Sequence, residues 1–282
     1  MRQAEGHEFS VQRAELTLSG DKAGSGDAVV LLHGLTATRD VVVHGSRHLP
    51  RQGFELIVYD ARGHGQSEPA SNERYAYPEL AGDLEAVLST EARGRRAVVG
   101  GHSMGAHTTV AYALEHANDL AGLVLIGPSY AGVSPDAEEL ANWTALADGL
   151  EDAGIDGFLE AYERQGLAPE WRETLLRVAR ERLERHEHPD AVAKALRQVP
   201  RSAPFESLAE LELLDVPALV VASHDEADPG HPHSVAEAYA ERLPAARLIS
   251  EEPGNSPLAW QGGRLSREIA MFCAEPEVVD RR

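Results

Sequence analysis

Gly101-His102-Ser103-Met104-Gly105 follows the apolar run 97–99 (Ala-Val-Val) and leads into a helical pattern over 108–116. The order is strand, G-x-S-x-G, helix, and that context separates a serine-bearing turn from a chance match. A turn this tight holds its serine in a sparsely allowed backbone conformation. Gly101 and Gly105 leave room for strand and helix to approach closely. The serine hydroxyl is thereby lifted above the sheet. The start of the helix offers N–H groups and a positive dipole end to a developing oxyanion. Ser103 is therefore the candidate nucleophile.

Outward from this turn, short apolar runs alternate with helical stretches. Residues 28–32, 56–59, 97–99, 123–126, 218–222 and 247–250 read as strands, and 78–90, 105–116, 234–242 and 263–272 as helices. Continuously apolar runs are those of strands buried on both faces. The alternation predicts an α/β fold, a mostly parallel sheet with helices on both faces. Segment 9–18 alternates loosely and reads as an antiparallel edge hairpin. Segment 134–208 breaks the rhythm, with almost no strand signal and Leu175, Leu176, Ala179 and Leu183 at helical spacing. It predicts a helical cap inserted at 130–210, between core segments 1–129 and 211–282. A cap over the strand ends would shape a substrate pocket, and Trp143, Phe158 and Trp171 within it suggest an apolar substrate.

Three segments share an order and spacing: His33-Gly34-Leu35 after the first parallel strand, Asp60-Ala61-Arg62-Gly63-His64-Gly65-Gln66-Ser67 after the next, and Gly101–Gly105. Together they resemble the α/β-hydrolase superfamily over almost the whole chain outside the cap. The resemblance implies oxyanion donors at the backbone N–H groups of Leu35 and Met104, and structural roles for Asp60 and His64. His33 reads as a satisfied turn histidine. The family's order is Ser, acid, His. Its acid is often followed by Pro, with a second Pro three residues later, and Asp228-Pro229-Gly230-His231-Pro232 matches that. Asp228 is the choice; counting from the strand end favours Glu226, and Asp225 is a further alternative.

The histidine is expected in a G-H-x-P turn after the last strand, where this chain has Gly254-Asn255-Ser256-Pro257. Asn255 cannot take a proton from Ser103 near neutral pH. The gap is large: removing the histidine of a serine triad costs on the order of 10⁶ in kcat. Another histidine could serve as base, with His231 leading and His233, His224 and His107 behind it. His107, one turn after Ser103, reads as packed beneath or beside the site. The other options are an inactivated variant, or cofactor-free non-hydrolytic chemistry or ligand binding. The leading reading is a serine hydrolase acting on an ester, thioester or lactone; the rival is a degenerate hydrolase that binds a small ligand without turnover. Relatives with Asp as nucleophile, such as epoxide hydrolases and haloalkane dehalogenases, are excluded by Ser103.

The 282 residues carry 43% hydrophobic and 26% charged residues and a formal net charge of -20. Such acidity argues against nucleic-acid and anionic-membrane partners, which require cationic surface. No dinucleotide fingerprint or P-loop occurs, and the His and acidic residues over 224–233 match no H-E-x-x-H metal helix, so no cofactor or metal is expected. Cys273 is the only cysteine, which rules out an internal disulfide. Residues 1–12 lack an apolar signal region, and the protein reads as cytoplasmic. Lys22 and Lys194 are the only lysines; with abundant Ala and Gly, the Arg-dominated base content suggests a GC-rich bacterial genome.

Overall fold

The computed structural model describes residues 6–71, 74–224, 228–252, 260 and 263–282. The chain opens with an antiparallel hairpin, β1 (His7–Arg13) and β2 (Leu16–Gly24), and β2 pairs antiparallel with β4 (Phe54–Tyr59). From there the sheet is parallel: β3 (Asp27–Leu32), β5 (Ala97–His102), β6 (Leu120–Ile126), β7 (Ala218–Val221) and β8 (Ala246–Ile249). The spatial order is β1-β2-β4-β3-β5-β6-β7-β8. Parallel neighbours need crossovers, and helices supply them. These are α1 (His48–Arg51), α2 (Tyr77–Val87), α3 (Met104–His116), α4 (Ala137–Arg164), α5 (Arg172–Leu183), α6 (Pro189–Gln198) and α7 (His233–Arg242), while α8 (Gly263–Cys273) and α9 (Pro276–Val279) follow β8.

Side-chain alternation along the strands divides the core into two layers. Val30, Leu32, Leu123 and Leu125 share one apolar cluster with Leu84, Val110 and Tyr239 of α2, α3 and α7. Val29, Leu31, Val124 and Ile126 share the other with Leu49, Ile269 and Val278 of α1, α8 and α9. Helices thus cover both faces, as the continuously apolar strands require. β5 runs further than its apolar residues, through Gly100 and Gly101, which pair with both β3 and β6. A Cβ at Gly100 would stand 2.2 Å from the Val124 carbonyl oxygen, so the strand passes there only as glycine.

Helices α4, α5 and α6 lie between β6 and β7 and bury a third cluster, including Leu146, Leu150, Phe158, Leu183, Val192 and Leu196. Phe158 is 5% exposed inside that cluster, and Trp143 packs against it. These aromatics therefore belong to the core of the α4–α6 cluster. α4 kinks where Ala153 and Gly154 leave helical geometry, Gly154 at φ +64°. Among the described residues no helix is long and apolar enough to cross a membrane.

Candidate active site

Ser103 sits between β5 and α3 at φ +52°, ψ -114°. A left-handed conformation costs a serine about 1–3 kcal/mol and persists only where the surroundings dictate it. Here Ser103 N–H donates to the Ile126 carbonyl at 3.0 Å, and the Ser103 carbonyl accepts from His107 N–H at 3.0 Å. The turn also needs its glycines. A Cβ at Gly101 would lie 2.6 Å from the Leu32 carbonyl oxygen, and one at Gly105 2.5 Å from the same atom. Met104 is the first residue of α3, so its N–H has no carbonyl one turn earlier. The loop after β3 comes alongside: a Cβ on Gly34 would stand 3.4 Å from Ser103 Cβ. Leu35 follows it, its side chain packed against both the sheet cluster and the α4–α6 cluster.

Asp228 and His231 form a local pair. His231 Nδ1 lies 2.8 Å from both carboxylate oxygens of Asp228, and His231 N–H donates to the Asp228 carbonyl at 3.2 Å. Burial opposes ionisation of Asp228, but the charge and hydrogen bond of His231, followed by the charges of His102 and of Arg182 from α5, hold the carboxyl down to about 2. An ionised partner on Nδ1 places the imidazole proton there and leaves Nε2 bare as the basic nitrogen.

His102, which sequence reasoning passed over, completes the group. Its ring centroid is 4.7 Å from that of His231, and one ligating atom from each of His102, Asp228 and His231 lies within 4.8 Å of the others. Burial, then the neighbouring His231, pushes His102 down to about 3, so it is neutral at physiological pH. Two histidines and a carboxylate could in principle ligate a metal ion. The 2.8 Å contact already commits Asp228 and His231 Nδ1 to each other, which is the geometry of an acid–base pair. The only sequence signal for His102 was its position immediately before the serine.

The other histidines that the sequence singled out beside Ser103 and Asp228 have partners of their own. His107 Nε2 accepts from the N–H groups of Ser129 and Tyr130 at 3.0 and 3.1 Å, and its Nδ1 lies 3.0 Å from Tyr77 Oη. Burial lowers it to about 3. It is packed beside the site, as its position one turn after Ser103 implied. His33 Nε2 accepts from Ala61 N–H at 2.8 Å and its Nδ1 meets the Gly34 carbonyl at 2.8 Å, a satisfied turn histidine. His233 stacks on His224 at 3.8 Å and meets Ser250 Oγ at 3.2 Å. Asp225, Glu226 and Asn255 lie outside the described residues.

The loops after β7 and β8 are tied by Glu251, a residue without any local sequence signal. Glu251 is 2% exposed and accepts from Ser223 Oγ at 2.6 Å, His224 N–H at 2.7 Å and Trp260 Nε1 at 3.0 Å. Trp260 Nε1 also reaches the Ala222 carbonyl at 2.7 Å. A buried carboxylate with three donors is a fixed post, and the segment carrying Asp228 and His231 leaves the sheet beside it.

Residues 27–262 match the profile of the alpha/beta hydrolase fold family. Over 219 residues the chain is 30% identical to 2-hydroxy-6-oxononadienedioate/2-hydroxy-6-oxononatrienedioate hydrolase 2 of Pseudomonas putida, covering 73% of this chain and 74% of that one. It is 28% identical over 159 residues to the AB hydrolase superfamily protein YisY of Bacillus subtilis, and the match spans 56% of each chain. Among solved structures, a thermophilic esterase from Thermogutta terrifontis superposes with a TM-score of 0.75 at 22% identity, covering 95% of this chain and 98% of that one.

Proposed function

The chain belongs to the alpha/beta hydrolase fold family, and on that premise we propose that it is a serine hydrolase whose base is His231. The observation that carries the reading is the Asp228–His231 pair, set beside the residue that immediately precedes Ser103. Ser103 Oγ attacks the carbonyl carbon of an ester, thioester or lactone of a small substrate as His231 Nε2 takes the hydroxyl proton. The N–H groups of Leu35 and Met104 hold the oxyanion of the tetrahedral intermediate. Its collapse breaks the bond to the leaving group, which takes the proton from His231 and departs. Water, activated by the same nitrogen, then hydrolyses the acyl-serine. Asp228 keeps the ring in the required tautomer and stabilises the imidazolium.

Apolar character of the substrate now rests on Leu35, which lines the junction of core and cap, rather than on Phe158. The acidic charge and the single buried cysteine suit a cytoplasmic enzyme. The rival reading, a small-ligand binder without turnover, is favoured by Asn255 at the position of the expected histidine. A fluorophosphonate probe at pH 7–8 decides between them. Stoichiometric labelling that vanishes in Ser103→Ala and slows at least a hundredfold in His231→Ala supports the hydrolase with this base. No labelling of the wild type refutes the hydrolase. Unchanged labelling of His231→Ala removes His231 from the mechanism.

A further inference from the structure

The loop after β3 is held in a way that its sequence does not explain. Thr36 adopts φ +67°, a costly conformation for a β-branched residue. It sits at the third position of a turn closed by Ala37 N–H on the Gly34 carbonyl at 3.0 Å. Something outside the loop must fix it. The outside contact comes from the cap. His186, three residues beyond α5 and only 9% exposed, lies with Nδ1 2.8 Å from Gly65 N–H and Nε2 3.0 Å from the Thr36 carbonyl oxygen. Glu187 N–H donates to the Gly65 carbonyl at 2.9 Å, and Arg185 pairs with Asp40 at 3.1 Å. An amide N–H can only donate, so Nδ1 accepts and Nε2 carries the proton. Burial lowers His186 to about 4, which keeps it neutral in that tautomer.

The consequence follows from peptide planarity. In a trans peptide the C=O and the next N–H point in opposite directions. His186 Nε2–H donates to Thr36 C=O, and the other end of that peptide, Ala37 N–H, donates to Gly34 C=O. The other end of the Gly34 peptide is Leu35 N–H. His33 Nδ1–H donates to the same Gly34 oxygen at 2.8 Å. Two hydrogen-bond chains therefore end on one amide, aiming its N–H away from the donors and polarising it.

We infer that His186 is a positioning residue of the cap that orients the Leu35 N–H through the Thr36–Ala37 peptide, so that docking of the cap completes the oxyanion hole. The inference rests on the reading of Leu35 as an oxyanion donor. It makes the cap a part of the catalytic geometry as well as a wall of the pocket.

Two substitutions separate orientation from simple packing. His186→Asn keeps an acceptor for Gly65 N–H but loses the donor to Thr36; His186→Gln keeps a donor that reaches Thr36. With a p-nitrophenyl ester, Asn is expected to lower kcat about tenfold with KM within about twofold, and Gln to recover most of kcat, since losing a whole oxyanion donor costs roughly 10²–10³. In parallel, the Leu35 amide proton resonance moves upfield in Asn and returns in Gln. Equal kcat in Asn and wild type, or no recovery in Gln, overturns the inference. Imidazole nitrogen NMR of the wild type adds a measurement free of any folding defect: His186 protonated on Nδ1 rather than Nε2 also overturns it. A wild type that does not label with fluorophosphonate refutes the hydrolase reading instead, while the tautomer and the Leu35 resonance still decide whether the relay exists.

Discussion

Replacing His107 by Leu separates a packing histidine from a base. His107 is 4% exposed, and its ring satisfies three groups at once: Tyr77 Oη and the N–H groups of Ser129 and Tyr130. Leucine fills a similar volume but offers no acceptor. Two half-buried amides left without partners cost about 1–2 kcal/mol each, and the stranded Tyr77 hydroxyl about 1 kcal/mol. Burying the leucine side chain returns about 1–1.5 kcal/mol. The net expectation is a loss of about 2–4 kcal/mol, near 10 °C in melting temperature for a chain of this size. Urea unfolding followed by tryptophan fluorescence at pH 8 measures the first quantity, and thermal circular dichroism the second. The folded fraction should keep fluorophosphonate labelling within about tenfold of wild type, because no proton transfer is assigned to His107. A loss of stability below about 0.5 kcal/mol would show that the three hydrogen bonds are replaceable. A labelling rate reduced by 10³ or more in folded protein would make His107 the base.

Asp228→Asn keeps the shape of the pair but removes the charge that stabilises the His231 imidazolium, and kcat for a p-nitrophenyl ester should fall by about 10²–10⁴ with KM little changed; a fall under threefold refutes the role. Stability should decline with acid in a defined window. His107 and His102 are lowered to about 3 and His186 to about 4, so the unfolded chain takes up protons near pH 6.5 while the folded protein does not. Their contribution is complete above about pH 6.5 and is lost as pH falls toward 4, by up to about 1.4 kcal/mol per pH unit for each of the buried rings of His107 and His186 and by less for the partly exposed His102. A melting temperature level from pH 7.5 to 4.5 would contradict this. Gly105→Ala places a methyl 2.5 Å from the Leu32 carbonyl oxygen and 2.8 Å from Leu32 Cβ. It should cost about 1–3 kcal/mol or prevent folding, and wild-type urea stability would refute that.

What the sequence made legible follows from the range of the forces involved. Strand and helix positions were readable because continuous apolar runs and helical spacing are local, and the strained serine turn because only glycine tolerates its close contacts. β5 was read short because Gly100 and Gly101 carry no apolar signal, although it is their missing side chains that let the strand pass Val124 of β6 at Gly100 and Leu32 of β3 at Gly101. The role of His186 was not legible, since its partners Thr36 and Gly65 are 150 and 121 residues away. Glu251 carries no local signal, and only its burial and its hydrogen bonds from Ser223, His224 and Trp260 distinguish it. Whether Phe158 speaks for an apolar substrate or for helix packing was not legible, because side-chain type cannot show which face of a helix meets solvent; it lies inside the α4–α6 cluster.

The pair after β7 differs in kind from an acid and a base borne on separate loops. Asp228 and His231 are three residues apart, joined by a backbone turn and flanked by Pro229 and Pro232, which restrict that turn before the side chains meet. If His231 is the base, its carboxylate partner lies in the same turn and no histidine after β8 is required, so Asn255 need not mark a lost function. Asn255→His tests this directly. The new imidazole would have to compete for a carboxylate whose two oxygens both lie 2.8 Å from His231 Nδ1. If His231 is the base, ester hydrolysis should change by less than about threefold, and the same substitution in a His231→Ala background should restore part of the lost rate. A gain of about 10³ or more in the single variant, on the scale of a triad histidine regained, would place the base at residue 255 and leave His231 as a turn residue.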